Sequence, residues 1–236
     1  MLTFDVVTTF ARHHWDTHAH RCVETFREHW AGMTLQTFLD EDLEARSSWL
    51  AGFKERHVDL PTENYRFDAV RFAHKVAAID LAMNASQADA LIWLDADCVT
   101  HAPVDAEWLT TLLAGADFAY LRRARKYPEC GFMIFRRNHA GQAFVQAIVD
   151  QYRTDALFGM AEWHDSWVIE QVRARLDAAG VLRCASLSGE AENTGHPLVN
   201  GPLGARLDHL KGKRKAIGRS KPTDLIRPRA EAYWSA

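Results

Sequence analysis

The sequence predicts an α/β fold, a Rossmann-like and mostly parallel central sheet flanked by helices. Three observations lead there. The chain opens on a strand–helix–strand pattern. The run Ala90-Leu91-Ile92-Trp93-Leu94 is apolar without polar alternation, the mark of a strand covered on both faces. Strand-like and helix-like periods then alternate down the chain, as βαβ units require. A length of 236 residues, with 47% apolar and 25% charged side chains, suits one large soluble domain with a sizeable core.

Leu2 to Thr9 is β-branched and aromatic, a first strand rather than a signal peptide, since it lacks a basic start and a small-residue cleavage site. His13 to Trp30 carries Trp15, Cys22, Phe26 and Trp30 among polar residues and predicts a helix. Met33 to Phe38 alternates and predicts a second strand running into an acidic loop, Asp40-Glu41-Asp42. Glu44 to Phe53 reads as a short helix, and Glu55 to Asn64 as a loop marked by Pro61. From Phe67 to Met83 the positions Phe72, Val76, Ile79 and Met83 give one apolar helical face, with Arg71 and Lys75 four apart on another.

After the apolar strand come Asp95-Ala96-Asp97, a short helix at 105–113 and a strand at 117–121. A basic loop follows (Arg122, Arg123, Arg125, Lys126), then a strand from Cys130 to Phe135. Helices are expected over 141–152 and 164–178, a late strand over 181–187, and loop from Gly189 to Gly204. Residues 1–222 read as one domain and 223–236 as a C-terminal tail. No apolar run reaches the roughly 20 residues that span a bilayer. Cys22, Cys98, Cys130 and Cys184 form no C-x-x-C pair and fit free thiols of a reducing compartment, the cytoplasm being the default expectation.

Charge is uneven. Between Lys211 and Arg229 eight basic residues face one acid, Asp224, so this segment is +7 and the rest of a chain of net −3 carries −10. A basic segment on an acidic body suggests contact with phosphate, or else a solvated tail. Two carboxylates at the end of a buried strand sit where open α/β sheets place ligands, and suit a hard cation such as Mn²⁺ or Mg²⁺. A plain strand-end turn is the alternative for Asp95 and Asp97. Late in the chain, His209-Leu210-Lys211-Gly212-Lys213-Arg214-Lys215 offers a third ligand in His209, a close-approach glycine in Gly212 and cations in Lys213, Arg214 and Lys215. Alone, His209 reads more readily as a surface histidine, and only in company with Asp95 and Asp97 as a ligand. Asp165, among Trp163, His164 and Trp167, reads as a carboxylate that orients a sugar hydroxyl beside stacking indoles, or as a first-turn helix charge beside core tryptophans. Asp165 and Glu129 are the candidate bases. His13 and His14 are weaker candidates for contact with a base or ribose, as are Arg122 to Lys126 for site contacts.

The Asp-x-Asp strand end followed by His209-x-x-Gly212-x-x-Lys215 resembles the glycosyltransferases of the GT-A fold, closest in motif order to glycosyltransferase family 8. The resemblance implies Asp95, Asp97 and His209 as ligands of Mn²⁺ (or Mg²⁺), with Ala96 between the two acids. It implies Gly212 and Lys215, with Lys213 nearby, on the diphosphate, and Lys75 or Arg71 as the donor-contacting cation on the preceding helix. The basic tail would then close over the donor. Where that family has Asn-x-Gly and Asp-Gln, this chain has Glu129-Cys130-Gly131 and Asp165-Ser166, and Ala216-Ile217 replaces the usual Pro-Trp. The departures leave donor sugar and stereochemistry open. The expected activity is metal-dependent transfer from a nucleotide-diphosphate sugar, UDP-linked by preference, to an acceptor hydroxyl. That acceptor is a glycan, small molecule, protein or nucleic acid.

Other functions fit some of the same residues. Asp95-Ala96-Asp97-Cys98-Val99 also fits the haloacid-dehalogenase-like phosphatase motif, with Asp95 as nucleophile. A double-acid partner motif is missing downstream, and a βαβ unit precedes the strand. A nucleotidyltransferase would show a Gly-rich N-terminal loop. The basic tail also fits a polyanion- or DNA-binding module, including a glycosyltransferase that acts on DNA.

Overall fold

The structure, a computed structural model, describes residues 1–60 and 63–235. Pro61, the loop marker of the sequence reading, lies outside them. Strand β1 (Phe4–Phe10) leads through a 3₁₀ turn at Arg12–His14 and a π-helical turn at Trp15–Ala19 into α1 (His20–His29). The single helix expected over 13–30 is thus regular in its second half only. Strand β2 (Thr34–Leu39) is followed by α2 (Asp40–Leu43) in place of the expected acidic loop. Three acids in a first turn favour that helix start through its dipole. Helix α3 (Ser48–Arg56) starts where Ser47 Oγ caps the Leu50 amide, and α4 (Ala69–Ala85) starts on Asp68, which caps Arg71.

Strand β3 (Ala90–Leu94) is buried throughout, as its unbroken apolar run requires. A short strand β4 (Cys98–Thr100) follows, then α5 (Ala106–Leu113), β5 (Phe118–Leu121), β6 (Glu129–Arg136), α6 (His139–Arg153), α7 (Asp165–Ala178) and β7 (Cys184–Ser186). The expected loop at 189–204 contains 3₁₀ turns and α8 (Pro197–Asn200). Beyond it come β8 (Leu207–His209), α9 (Arg214–Ile217) and α10 (Ala232–Ser235).

Six strands form one sheet in the order β2-β1-β3-β6-β5-β7. Pairs β1–β2, β1–β3 and β5–β7 are parallel, and β6 runs against both neighbours. The α/β reading with a mostly parallel sheet is therefore correct. Alternate residues feed two cores. Leu91, Trp93, Phe118 and Tyr120 face α4, α6 and α7, whereas Ile92, Leu94, Ala119 and Leu121 face α1 and α5. Because β2 and β3 lie on opposite sides of β1, a crevice opens at the carboxyl ends of β1 and β3, the topological switch point.

A second, two-stranded sheet pairs β4 antiparallel with β8, Cys98 opposite His209. Sequence periodicity gave no sign of either strand, since three residues are too few to show a period. Tyr233 and Trp234 are fixed on this small sheet. Buried Asp208 accepts from Ser220 N and Oγ and from Tyr233 Oη, and Trp234 donates to the Gly204 carbonyl. Among the described residues no helix is long and apolar enough to cross a membrane.

Candidate active site

Two carboxylates, one imidazole and two lysines meet at the end of β3. The Asp95 amide donates to the Gly131 carbonyl at 2.9 Å, extending the β3–β6 ladder one residue past the strand. The chain then turns, with Cys98 N on the Asp95 carbonyl, and enters β4. The turn brings both carboxylates against β8: His209 Nε2 lies 3.0 Å from Asp97 Oδ1 and 3.7 Å from Asp95 Oδ2. The other oxygens are occupied. Lys75 Nζ lies 2.9 Å from Asp95 Oδ1, which also accepts from Trp93 Nε1 at 2.6 Å, and Lys215 Nζ lies 2.9 Å from Asp97 Oδ2. His209 Nε2 thus faces one oxygen of each Asp.

Carboxylate oxygens and an imidazole nitrogen are donor types that suit Mn²⁺ or Mg²⁺, so the chemistry of Asp97 and His209, with Asp95 Oδ2 3.7 Å from His209 Nε2, fits the ion the resemblance implies. Cys98 Sγ lies near Asp97 and His209 too. It points to the Gly131 carbonyl at 3.6 Å, and burial keeps the thiol protonated, so it is no ligand for a hard cation. Burial by itself would lower the His209 pKa, but Asp97 and Glu129 outweigh it and raise it to about 9. Burial would likewise raise that of Asp97, yet His209 and Lys215 hold it far below the carboxylate range. In this arrangement His209 and the lysines supply the positive charge that the acids require.

The ridge formed by Phe72, Lys75 and Asp95 separates two cavities. The first is lined by Thr9 and Phe10 from the end of β1, by Asp40, and by His14, His18, Arg71, Ala96, Asp97 and Lys215. Thr9 Oγ1 donates to Asp40 Oδ1 at 2.6 Å, which orients that carboxylate. The second is lined by Tyr65, Arg123, Tyr127, Glu129, Gly131, His164, Asp165, His209 and Lys211. Its aromatic lining differs from the one anticipated. Trp163 packs on Phe67 and Phe158 inside the fold, and Trp167 lies behind Tyr127. The cavity walls are Tyr65, Phe72, Tyr127 and His164, with the two tyrosine hydroxyls 3.0 Å apart.

Asp165 is buried in the first turn of α7, which is capped by His164. Its Oδ2 lies 2.7 Å from Lys75 Nζ, so Lys75 bridges Asp95 and Asp165. Burial opposes the charge on Asp165, but Lys75 prevails and holds it ionised well below the usual range. Glu129, the other candidate base, has both oxygens engaged. Oε1 meets His209 Nδ1 at 2.8 Å, and Oε2 meets Arg123 at 3.0 Å and Lys211 at 2.5 Å. A carboxylate so paired is a poor proton acceptor.

The basic segment is only partly a cover. Gly212, at φ +58°, makes the left-handed turn that lets Lys211 and Lys215 point to separate carboxylates. Lys213 lines neither cavity, and Arg214 is paired with Asp224. Of the basic tail expected to close over the donor, Lys211 and Lys215 line the cavities, whereas residues 223–235 line neither and pack beside β4 and β8. His14 reaches the first cavity and His13 does not; of the basic loop at 122–126, Arg123 alone lines the second. The sequence reading passed over His18, Asp40, Tyr65, Tyr127 and Lys211 as individual site residues. Their common signal, position after a strand or before a helix, is shared by many loop residues.

No family model matches the chain, and no curated protein matches it in sequence. Its fold is that of solved glycosyltransferases. The glycosyltransferase GlyE of Streptococcus pneumoniae TIGR4 is similar with a TM-score of 0.50 at 13% identity, over 80% of this chain and 46% of that one. This chain thus spans less than half of the pneumococcal protein. A glycosyltransferase involved in glycosylation of the major capsid of PBCV-1 is similar with a TM-score of 0.51 at 13% identity, over 92% of this chain and 98% of that one.

Proposed function

We propose that this protein moves a sugar from a nucleotide-diphosphate donor, UDP-linked by preference, to an acceptor hydroxyl. The observation that carries this reading is the approach of Asp97 Oδ1 and Asp95 Oδ2 to the buried His209 Nε2, between two cavities at the switch point of the sheet. Asp95, Asp97 and His209 would hold Mn²⁺ or Mg²⁺, which when bound neutralises the diphosphate leaving group.

The chain's own residues then divide the work. The first cavity, at the carboxyl ends of β1 and β3, takes the nucleoside and its phosphates. Arg71 and Lys215 supply cations there, Ala96 gives a small floor, and Asp40 and His14 offer polar contacts. Lys215 sits on a flexible stem and can exchange Asp97 for a phosphate oxygen. The second cavity takes the sugar and the acceptor. Asp165 holds Lys75 against Asp95, fixing the wall at which the cavities meet. With Asp165 and Glu129 both ion-paired, the carboxylates position groups rather than remove protons.

The phosphatase alternative needs Asp95 as a free nucleophile, whereas its Oδ1 is tied to Trp93 and Lys75 and its strand is third in chain order. The test is hydrolysis of a panel of nucleotide sugars with and without Mn²⁺, together with UDP binding to wild type and Asp97→Ala. Metal-dependent cleavage of one donor and loss of UDP affinity in the variant are expected. Cleavage of no donor, with UDP affinity unchanged by the substitution, would overturn the reading.

A further inference from the structure

We propose that Glu129 is the positioning residue of the metal site, holding His209 so that Nε2 alone is presented to the ion. The inference rests on the metal reading above. An imidazole that binds a metal through Nε2 must keep its remaining proton on Nδ1, and the group accepting that proton fixes both tautomer and ring plane. Here that group is Glu129 Oε1, 2.8 Å from Nδ1, on a side chain only 3% exposed. The ring has little freedom otherwise. Gly131 lies against it so closely that a Cβ there would stand 2.5 Å from His209 Cε1.

The site is built around the charge. A buried carboxylate is costly unless paired and hydrogen-bonded. Arg123, from the β5–β6 loop, and Lys211, two residues past β8, both end on Oε2, leaving Oε1 to His209 at 2.8 Å, with His196 Nδ1 farther off at 3.8 Å. The β5–β6 register slips between Tyr120 and Leu121, so that Leu121 pairs with Glu129. Such bulges re-aim side chains beside active sites. Glu129 and Gly131 therefore act together: the glycine admits the ring and the carboxylate orients it. An amide at position 129 can accept the same hydrogen bond without the charge. The chain's use of Glu implies a stronger hold on Nδ1–H and a more basic Nε2.

Mn²⁺ affinity, read from the free-ion electron paramagnetic resonance signal without nucleotide, tests this in wild type, Glu129→Gln and Asp97→Ala. The Gln variant is expected to bind Mn²⁺ about 10- to 100-fold more weakly. The His209 Nδ1–H resonance of the metal-free protein, seen with ¹⁵N-labelled histidine, should also move. Since Gln leaves Arg123 and Lys211 without their anion, Glu129→Gln/Lys211→Met is measured beside it. A double variant that regains thermal stability but still binds weakly supports positioning. One that regains affinity along with stability shows a structural role only and overturns the proposal. Equal Mn²⁺ affinity in wild type and Glu129→Gln overturns the role of Glu129 alone. If wild type binds no Mn²⁺, the metal reading falls and takes this role with it.

Discussion

At the scale of single residues, one lysine holds the site together. Lys75 Nζ contacts Asp95 at 2.9 Å, Asp165 at 2.7 Å and the Cys130 carbonyl at 3.0 Å. Burial works against its charge, but the two carboxylates keep it firmly protonated. Removing the shared partner of two ion pairs strands two anions, and breaking a buried pair this way costs about 3–5 kcal/mol. Lys75→Met is therefore expected to lose about that much in urea unfolding, with Lys75→Met/Asp165→Asn recovering part of it through coupling. A loss below about 1 kcal/mol would mean that the pairs behave as exposed ones. The resemblance to GT-A glycosyltransferases pointed to Lys75 or Arg71 on one helical face, and the strand end was enough for Asp95 and Asp97. Their partners were not legible, because Asp165 is remote in sequence and nothing local in Glu129-Cys130-Gly131 announces a histidine as its neighbour.

At the scale of elements, the β4–β8 pair sets the site and the C-terminal segment secures that pair. The ring of His101, just past β4, stacks on Tyr233 with centroids 4.1 Å apart, and its Nε2 is buried without a hydrogen-bond partner. Asp208, Glu231 and Arg229 are the charged groups around it. Burial lowers its pKa below the ordinary 6.5, outweighing the pull of Asp208. The unfolded chain thus takes up a proton that the folded chain refuses. Stability conferred above about pH 6.5 is lost as pH falls below it. The urea midpoint of wild type should drop between pH 7 and pH 5 by more than that of His101→Phe, which keeps the stack and loses the proton. Equal drops would place the acid sensitivity elsewhere. The long elements were readable because ten or more residues display a period. The two short strands were not, since pairing across some 110 residues, rather than local pattern, makes Cys98 the neighbour of His209.

At the scale of the whole molecule, the charge asymmetry seen in the sequence is partly settled within the fold. The basic segment meets the acidic body at specific places, Lys211 on Glu129, Lys215 on Asp97 and Arg227 on Glu190, while Arg214 pairs with Asp224 inside the segment itself. Composition alone could not distinguish this from a solvated polyanion-binding tail, because net charge carries no information on pairing. The distinction has a measurable consequence. Cations already held by buried carboxylates release few condensed counterions on DNA, so affinity should be weak and its dependence on salt shallow. Fluorescence anisotropy of a labelled duplex, titrated between about 50 and 200 mM salt, is expected to show little binding to wild type. Tight binding with a loss of about a thousandfold over that range would instead mean that many free cations reach phosphates, and would restore the nucleic-acid reading. A comparison with Glu129→Gln sharpens the point. Freeing Arg123 and Lys211 from their shared anion should raise affinity for DNA above that of wild type, whereas a tail that is solvated from the outset would be indifferent to the substitution.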